Sequence, residues 1–207
     1  MQPEITPNRS PDMIEENTHA RLAKPIPTNP GHFMTIMDLA DTIAEPGEDR
    51  AKLHASLRQL SSQGYLWAPY RETGSRGAYL YTPATCIVCA VLLRLIEMGI
   101  RDKSACLAVA NCLYDWNPTA FDGDVPRYTP GALVIRKYTE GDRDWTLELW
   151  TLRHDNSNVV HAARLYKPAA GRGFDLGYDL SKFAQRAVLA IDLGDVLDRM
   201  HSRGKVN

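Results

Sequence analysis

The stretch that decides the fold runs from Leu53 to Pro83 and has the sequence LHASLRQLSSQGYLWAPYRETGSRGAYLYTP. It begins with helix formers, and Leu53, Leu57 and Leu60 recur at the spacing of one buried helix face. Gly64 follows, at a position where a left-handed residue commonly ends a helix. The stretch therefore predicts a helix of about residues 48–63.

The second half of this stretch changes from helical to strand-like composition. It is rich in aromatic residues, and Gly74 and Gly77 permit a tight turn. We expect a hairpin whose strands cover about residues 65–70 and 78–81. Arginines lie at its tip, in the sequence RETGSRG.

The flanking sequence adds three helices. One begins at Thr35, which is suited to cap it with Asp38, and it ends at Pro46-Gly47. A third helix follows a Thr82 cap with Pro83 at its first position and continues to about Met98. A fourth covers about residues 102–115 and ends before Asn117-Pro118.

The composition limits the classes of function. The chain has 207 residues, 44% of them hydrophobic, and a net charge of −1. The charge excludes a globally basic nucleic-acid binder, so such a function needs a local patch. No apolar run is long enough to span a membrane, and the N-terminus has no signal-peptide core, which predicts a cytoplasmic protein. The proline-rich residues 1–31 are predicted to form a disordered arm.

Beyond about residue 120 the pattern changes to period two. The segment GALVIRKYTEGDRDWTLELWTLRHDNSNVVHAARLYKP predicts an antiparallel meander in which Trp145, Leu147, Leu149 and Thr151 share a face. Residues 187–193 predict another strand, and about 194–201 a short helix. The predicted fold is α+β: a winged helix-turn-helix domain (32–117), then a small antiparallel β-sheet domain with a C-terminal helix (118–207).

The order of helix, turn, helix and hairpin is that of a winged helix-turn-helix. Such a helix fits the DNA major groove, and the hairpin places basic groups on phosphates. The candidate DNA-binding residues lie on the second helix and on the hairpin: Arg50, Lys52, His54, Ala55, Arg58, Tyr70, Arg71, Thr73, Ser75 and Arg76. Residues 50–103 hold eight Lys or Arg against three acids, +5 on a chain of net −1. The alternative is an amphipathic helix with a solvated face, followed by an ordinary hairpin.

The segments SLRQLSSQGYL and RGAYLYTPATCIVCAVLLRLIEMGIRDKSA resemble the MerR-type winged-helix domain over about residues 34–115. The matches fall in the helix, the wing and the end of the third helix: Ser56, Leu57, Arg58, Gly64, Tyr65, Leu66, Arg76, Gly77, Tyr79, Tyr81, Glu97, Met98, Gly99 and Ile100. The resemblance implies that His54, Ala55 and Arg58 face the groove and that Arg71 and Arg76 hold phosphates. The long dimerisation helix of that family has no counterpart, because Pro118 and the β-rich region occupy its place.

Other motifs offer weaker signals. Cys86, Cys89, Cys106 and Cys112 approach zinc-site spacing, but their apolar helical context predicts structural core residues. The six histidines form no ligand pattern, and GRGFDLG at 171–177 does not join a strand to a helix. We find no enzyme signature and expect no cofactor or metal.

These observations predict a nucleoid-associated transcriptional regulator that binds double-stranded DNA, with a homodimer as the expected assembly. The C-terminal region, with Trp145 and Trp150 as apolar surface, would serve dimerisation, effector sensing or contact with another protein. One alternative is an architectural or assembly factor from a mobile element or phage. An enzyme with its site in the C-terminal half is a further alternative.

Overall fold

The computed structural model describes residues 33–45, 47–73, 77–114, 129–154, 158–173, 176 and 179–201. Its elements are α1 (Ile36–Ile43), α2 (Arg50–Ser62), β1 (Tyr70–Arg71), β2 (Tyr79–Leu80), α3 (Ala84–Glu97), α4 (Lys103–Tyr114), α5 (Pro130–Thr139), β3 (Thr146–His154), β4 (Val159–Lys167), β5 (Arg172–Gly173), β6 (Phe183–Asp192) and α6 (Leu193–His201). The predicted α+β fold with a C-terminal helix is confirmed. The arm predicted for 1–31 and the break predicted at Asn117-Pro118 lie outside the described residues.

The starts of the first two helices and the end of α2 are as predicted, but α1 ends at Ile43, before the predicted Pro46-Gly47. Thr35 and Asp38 form a reciprocal capping box at the start of α1, and Asp49 accepts from two backbone N–H groups at the start of α2. Gly64 has φ +78°, and the N–H groups of Gly64 and Tyr65 donate to the carbonyls of Ser61 and Leu60. This Schellman-type ending satisfies carbonyls of the last turn of α2.

The hairpin is shorter than predicted. Its two strands have two residues each, and Tyr70 pairs with Leu80 while Arg71 pairs with Tyr79. Tyr65 and Leu66, predicted to start the first strand, are instead buried in the core outside any strand. Burial of these side chains takes precedence over their strand propensity.

Residues 130–139, predicted to form the first strand of the meander, form helix α5. Thr129 caps it by accepting from the Ala132 N–H at 3.3 Å, and Pro130 occupies its first turn. Val134 and Tyr138 are buried one turn apart. The strand prediction was wrong because a short apolar run such as ALVI fits both helix and strand.

The strands from β3 onward form one antiparallel sheet in the order β5-β4-β3-β6. Trp145, Leu147 and Leu149 are buried on the face that packs on the helices, as predicted, but Thr151 is only half-buried. Leu152 is buried on the opposite face, in a small cluster with Ala162 and Leu176. The β3–β6 register shifts between Thr151 and Leu152, which marks a bulge in β6 at this point.

One hydrophobic cluster contains residues from both sides of the predicted domain boundary at 117/118. The sheet contacts α4, chiefly through β4, and α5 and α6 both contact α3. Two ion pairs also join the C-terminal helix to earlier parts of the chain: Arg94 of α3 lies 3.2 Å from Asp195 of α6, and Arg199 of α6 lies 3.4 Å from Glu45. The C-terminal helix is therefore held directly against the first helices.

Within the described part of the chain, no helix is both long enough and apolar enough to cross a membrane.

Candidate nucleic-acid interface

Helix α2 presents a polar face to the exterior. Leu53, Leu57 and Leu60 bury one side of it. The exposed residues of the helix are Arg50, Ala51, Lys52, Ala55, Arg58, Gln59 and Ser62. Ala51 and Ala55 lie one turn apart among longer polar side chains, so the backbone of α2 is accessible to close approach along this face.

The basic residues of α2 differ in whether they have a partner within the protein and in how exposed they are. Lys52 and Arg58 are exposed, and neither side chain has an ion-pair partner among the described residues. Arg50 pairs with Asp41 at 3.0 Å, although both side chains are well exposed. His54 is half-buried on the flank of the helix. Of the predicted helix residues, Lys52, Ala55 and Arg58 thus share the open face, while Arg50 and His54 lie beside it.

Acidic residues crowd the turn before α2, and each has a partner inside the protein. The Asp49 carboxylate caps the helix, and a Glu48 carboxylate oxygen accepts from the Glu45 N–H at 2.8 Å. Asp41 is held by Arg50, and Glu45 by Arg199. The negative charge therefore lies at the N-terminus of α2, and a polyanion would meet favourable charge along the middle of the helix instead.

In the hairpin, Arg71 is tied to its own turn. Its Nε donates to the Gly77 carbonyl at 2.9 Å, and its guanidinium lies 5.2 Å from the centre of the Tyr79 ring. The Glu72 backbone N–H also donates a hydrogen bond to the Ala78 carbonyl at 2.9 Å. A Cβ at Gly77 would lie 2.0 Å from the Glu72 carbonyl oxygen, so this close approach requires glycine.

The two faces of the hairpin carry different aromatic contacts. The Tyr70 ring meets Phe33 edge-on, with ring centres 4.6 Å apart, and it is 45% exposed. Tyr79 is 54% exposed and stacks with Arg71. Thr73 is exposed beside the tip. Two predicted tip residues, Ser75 and Arg76, lie outside the described part of the chain, so the assigned phosphate contact of Arg76 stays a prediction.

The base of the hairpin is fixed to both helices. Tyr81 is buried, and its hydroxyl shares a 2.8 Å hydrogen bond with Ser61 near the end of α2. Its backbone exchanges two hydrogen bonds with Met34, directly before α1. Burial raises the pKa of the Tyr81 hydroxyl, which keeps it protonated. Helix α2 and the hairpin are thus held as one unit, which a binding surface made from both would require.

The DNA-binding candidates chosen from the sequence omit three residues of this face, Ala51, Gln59 and Ser62, although the sequence already placed Gln59 away from the leucine stripe. Helical spacing could have found the other two, because Ala51 lies one turn before Ala55 and Ser62 one turn after Arg58. Gln59 adds an amide that can both donate and accept, which suits base edges as well as phosphates.

The cysteines are interior residues. Cys86, Cys89 and Cys106 are buried, and Cys112 is half-buried. Burial raises the pKa of Cys86 to about 12 and also raises those of Cys89 and Cys106, so these thiols stay protonated at neutral pH. Within the described ranges, no three His, Cys, Asp or Glu side chains are grouped so that they could hold a metal ion.

Comparison of the chain with protein-family models, with curated proteins and with solved structures found no match.

Proposed function

We propose that this protein binds double-stranded DNA through the exposed face of α2 and the adjoining hairpin, as a transcriptional regulator and not as an enzyme. The observation that carries the proposal is the pair Lys52 and Arg58, which are exposed without ion-pair partners in the described structure. Lysine and arginine without internal partners are the groups that neutralise phosphates. Ala55 between them leaves room for the helix to approach the groove floor.

The element order supports the same proposal. Helices α1 and α2, a hairpin, and then α3 and α4 follow one another in the order of the MerR-type domain that the sequence resembles. In this assignment α2 occupies the major groove and the hairpin acts as the wing. Membership of that family, and a location on the nucleoid, belong to the proposal.

The contacts change the roles within the wing. The Arg71 Nε donates to the Gly77 carbonyl and its guanidinium lies against the Tyr79 ring, so Arg71 serves first to hold the hairpin in shape. Tyr70 and Thr73 lie exposed on the hairpin and can donate hydroxyl hydrogen bonds to phosphate oxygens. We therefore expect a larger loss of binding from changes on α2 than from Arg71 in a hairpin that keeps its shape.

Binding of a fluorescent duplex of random sequence, measured by anisotropy at several salt concentrations, tests the proposal. The double variant Lys52→Ala/Arg58→Ala should weaken binding at least about tenfold and reduce the salt slope by about 2, as expected for two lost phosphate contacts. The matched control, Arg153→Ala/Lys182→Ala, removes the same charge from the sheet region and should bind like wild type. Absence of binding by the wild type, or equal loss in both variants, would refute the proposal.

Sequence preference separates a regulator from an architectural factor. Selection of duplexes from a random pool should yield one preferred site, and Gln59→Ala, which removes the amide suited to base edges, should relax the preference at one position of that site. Equal recovery of all sequences would instead support the architectural alternative.

A further inference from the structure

Among the described strands, β6 forms the long edge of the sheet. Strand β6 pairs with β3 along its length, and no described strand lies on its other side. It has ten residues, without proline, and most of them are exposed. Edge strands of this length usually carry protection against pairing, because their free backbone groups are a template for another strand.

The backbone groups of this edge can be assigned. The Leu193 N–H donates to the Trp145 carbonyl at 2.9 Å, one step beyond the Thr146–Asp192 pair. Hydrogen-bonded and non-hydrogen-bonded pairs alternate in an antiparallel ladder. Odd-numbered residues from 187 onward therefore direct their backbone groups at β3. Val188 and Ala190 direct theirs at the open edge.

The sequence of this edge, RAVLAID at 186–192, is complementary to itself. In an antiparallel pair with a two-fold axis at Leu189, Asp192 of the second strand comes level with Arg186, the extra residue of the β6 bulge, whose long exposed side chain can reach it. In the same register Ala187 faces Ile191, and Val188 faces Ala190. Val188 and Ile191 each meet an alanine, and Leu189 lies on the axis and faces its own copy.

Neither of the two charges has an ion-pair partner among the described residues. Arg186 is exposed. Asp192 is exposed, and its Oδ1 accepts from the Asp195 N–H at 3.1 Å. Six steps along a strand separate them by roughly 20 Å, so they cannot meet within one chain. Moving the two-fold axis to Val188 or Ala190 would place Arg186 away from Asp192.

The geometry points to a second copy of this chain as the occupant of the edge. Two β6 strands pair antiparallel about Leu189 and join both sheets into one continuous sheet. Val188 and Ala190 supply the hydrogen-bonded pairs, and Arg186 and Asp192 form an ion pair at each end. A contact of this length is smaller than a standard interface, so we expect a weakly associated dimer.

Sedimentation velocity of the full chain, from about 1 to about 300 μM, measures the dissociation constant of the dimer. A double-mutant cycle on the charges of Arg186 and Asp192 tests the register. Arg186→Glu places like charges opposite each other and should raise the dimer Kd by about tenfold or more. Asp192→Asn keeps an oxygen to cap α6. It should weaken the wild-type dimer about two- to fivefold, yet strengthen the Arg186→Glu dimer, because it removes the repulsion. This change of sign is specific to the proposed register.

Ala190→Pro is an independent test of the backbone pairing. Its N–H points away from β3, so proline is tolerated within the sheet but removes a donor from the edge. We expect a monomer at all concentrations with an unchanged circular dichroism spectrum and an unfolding midpoint near that of the wild type. These two readings separate a lost interface from a lost fold.

Three results would overturn the inference. The first is a wild-type monomer at the highest concentration. The second is a dimer that is indifferent to Ala190→Pro and to the charge cycle, which would place the interface elsewhere. The third is stronger association of Arg186→Ala, which would show that Arg186 protects the edge from pairing.

Discussion

The helical region (33–114) and the sheet region (129–201) use their cations differently. In the sheet region most basic side chains have carboxylate partners: Arg136, Lys137, Arg143, Arg164, Lys167, Lys182 and Arg199. In the helical region several described cations are exposed without such partners: Lys52, Arg58, Arg101 and Lys103. The two regions share one hydrophobic core. The contrast therefore distinguishes basic residues that stabilise the fold through ion pairs from basic residues that are available to a binding partner.

On the outer face of the sheet, charged side chains are paired with one another within the protein. Arg164 Nε donates to Glu148 at 2.6 Å, and the same carboxylate oxygen accepts from Trp150 Nε1 at 3.0 Å. The Arg164 guanidinium lies 5.1 Å from the Trp150 ring and 5.2 Å from the Tyr166 ring. These groups satisfy one another, and Trp145 is buried in the core. The apolar surface expected from Trp145 and Trp150 is therefore used within the chain.

Thiol labelling gives the largest expected effect and tests whether the helical region opens separately. All four cysteines lie in that region, and a pKa of about 12 lowers the thiolate fraction of Cys86 about a thousandfold relative to an ordinary thiol. We expect Cys86, Cys89 and Cys106 to react with iodoacetamide at pH 7 only as fast as the whole protein unfolds. All four should react at once in denaturant. If these thiols react faster than the whole protein unfolds while the sheet stays folded, the helical region opens independently of the sheet region.

Core truncation in each region tests the shared core directly. Leu92 of α3 and Leu165 of β4 are both fully buried. Leu92→Ala and Leu165→Ala should each cost about 2–5 kcal/mol and lower the midpoint of a single unfolding transition. Urea unfolding, followed by circular dichroism and tryptophan fluorescence, measures both. Two transitions, only one of which moves, would contradict a common core.

The ion pairs that join the regions should have a smaller effect. Arg94 is partly buried and contacts Asp195 at 3.2 Å, so Arg94→Ala should lower the unfolding free energy by about 1 kcal/mol. The matched control is Arg50→Ala, whose partner Asp41 lies within the helical region and is more exposed. We expect that variant to change stability by no more than about 0.3 kcal/mol. Equal effects would mean that the α3–α6 pair adds nothing specific.

A pH dependence at the junction of α4 and the sheet should be the smallest effect. A hydrogen bond from Ser104 lowers the pKa of Asp102, helped by the Ala105 N–H and by His161 of β4. A lowered folded-state pKa contributes stability above the unfolded value near 4, and this is lost as pH falls through the folded value. Because the carboxyl is largely exposed, the loss should be about 0.5 kcal/mol. Unfolding free energies between pH 6 and pH 3 should fall less steeply in Asp102→Asn.

Local rules were sufficient for α1 to α4, for α6 and for the end of α2, because their signals lie within a few residues, although the N-cap of α3 is Pro83 and not the predicted Thr82. The Thr35–Asp38 box, the leucines of α2 and Gly64 all took the predicted roles. The strand assignments were less accurate. Tyr65 and Leu66 entered the core, and residues 130–139 formed a helix, because packing across the chain outweighs intrinsic strand preference.

The sequence predicted which residues of α2 are exposed at the candidate site. It did not predict which of the basic residues have partners within the protein. Helical spacing correctly placed Lys52 and Arg58 away from the leucine stripe, and Ala55, which the resemblance added, is exposed with them. Helical spacing could not show that Asp41 holds Arg50 or that the Gly77 carbonyl holds Arg71, because these partners are set by the fold.

By itself the sequence determined helices α1 to α4 and α6, which face of α2 is buried and where charge is concentrated, since these depend on spacing along the chain. Only the tertiary structure decided that residues 130–139 form a helix, that one core contains both regions, which cations have partners and that β6 is the edge strand of the described sheet. Those outcomes depend on contacts between distant segments, and periodicity along a single segment carries no record of its neighbours.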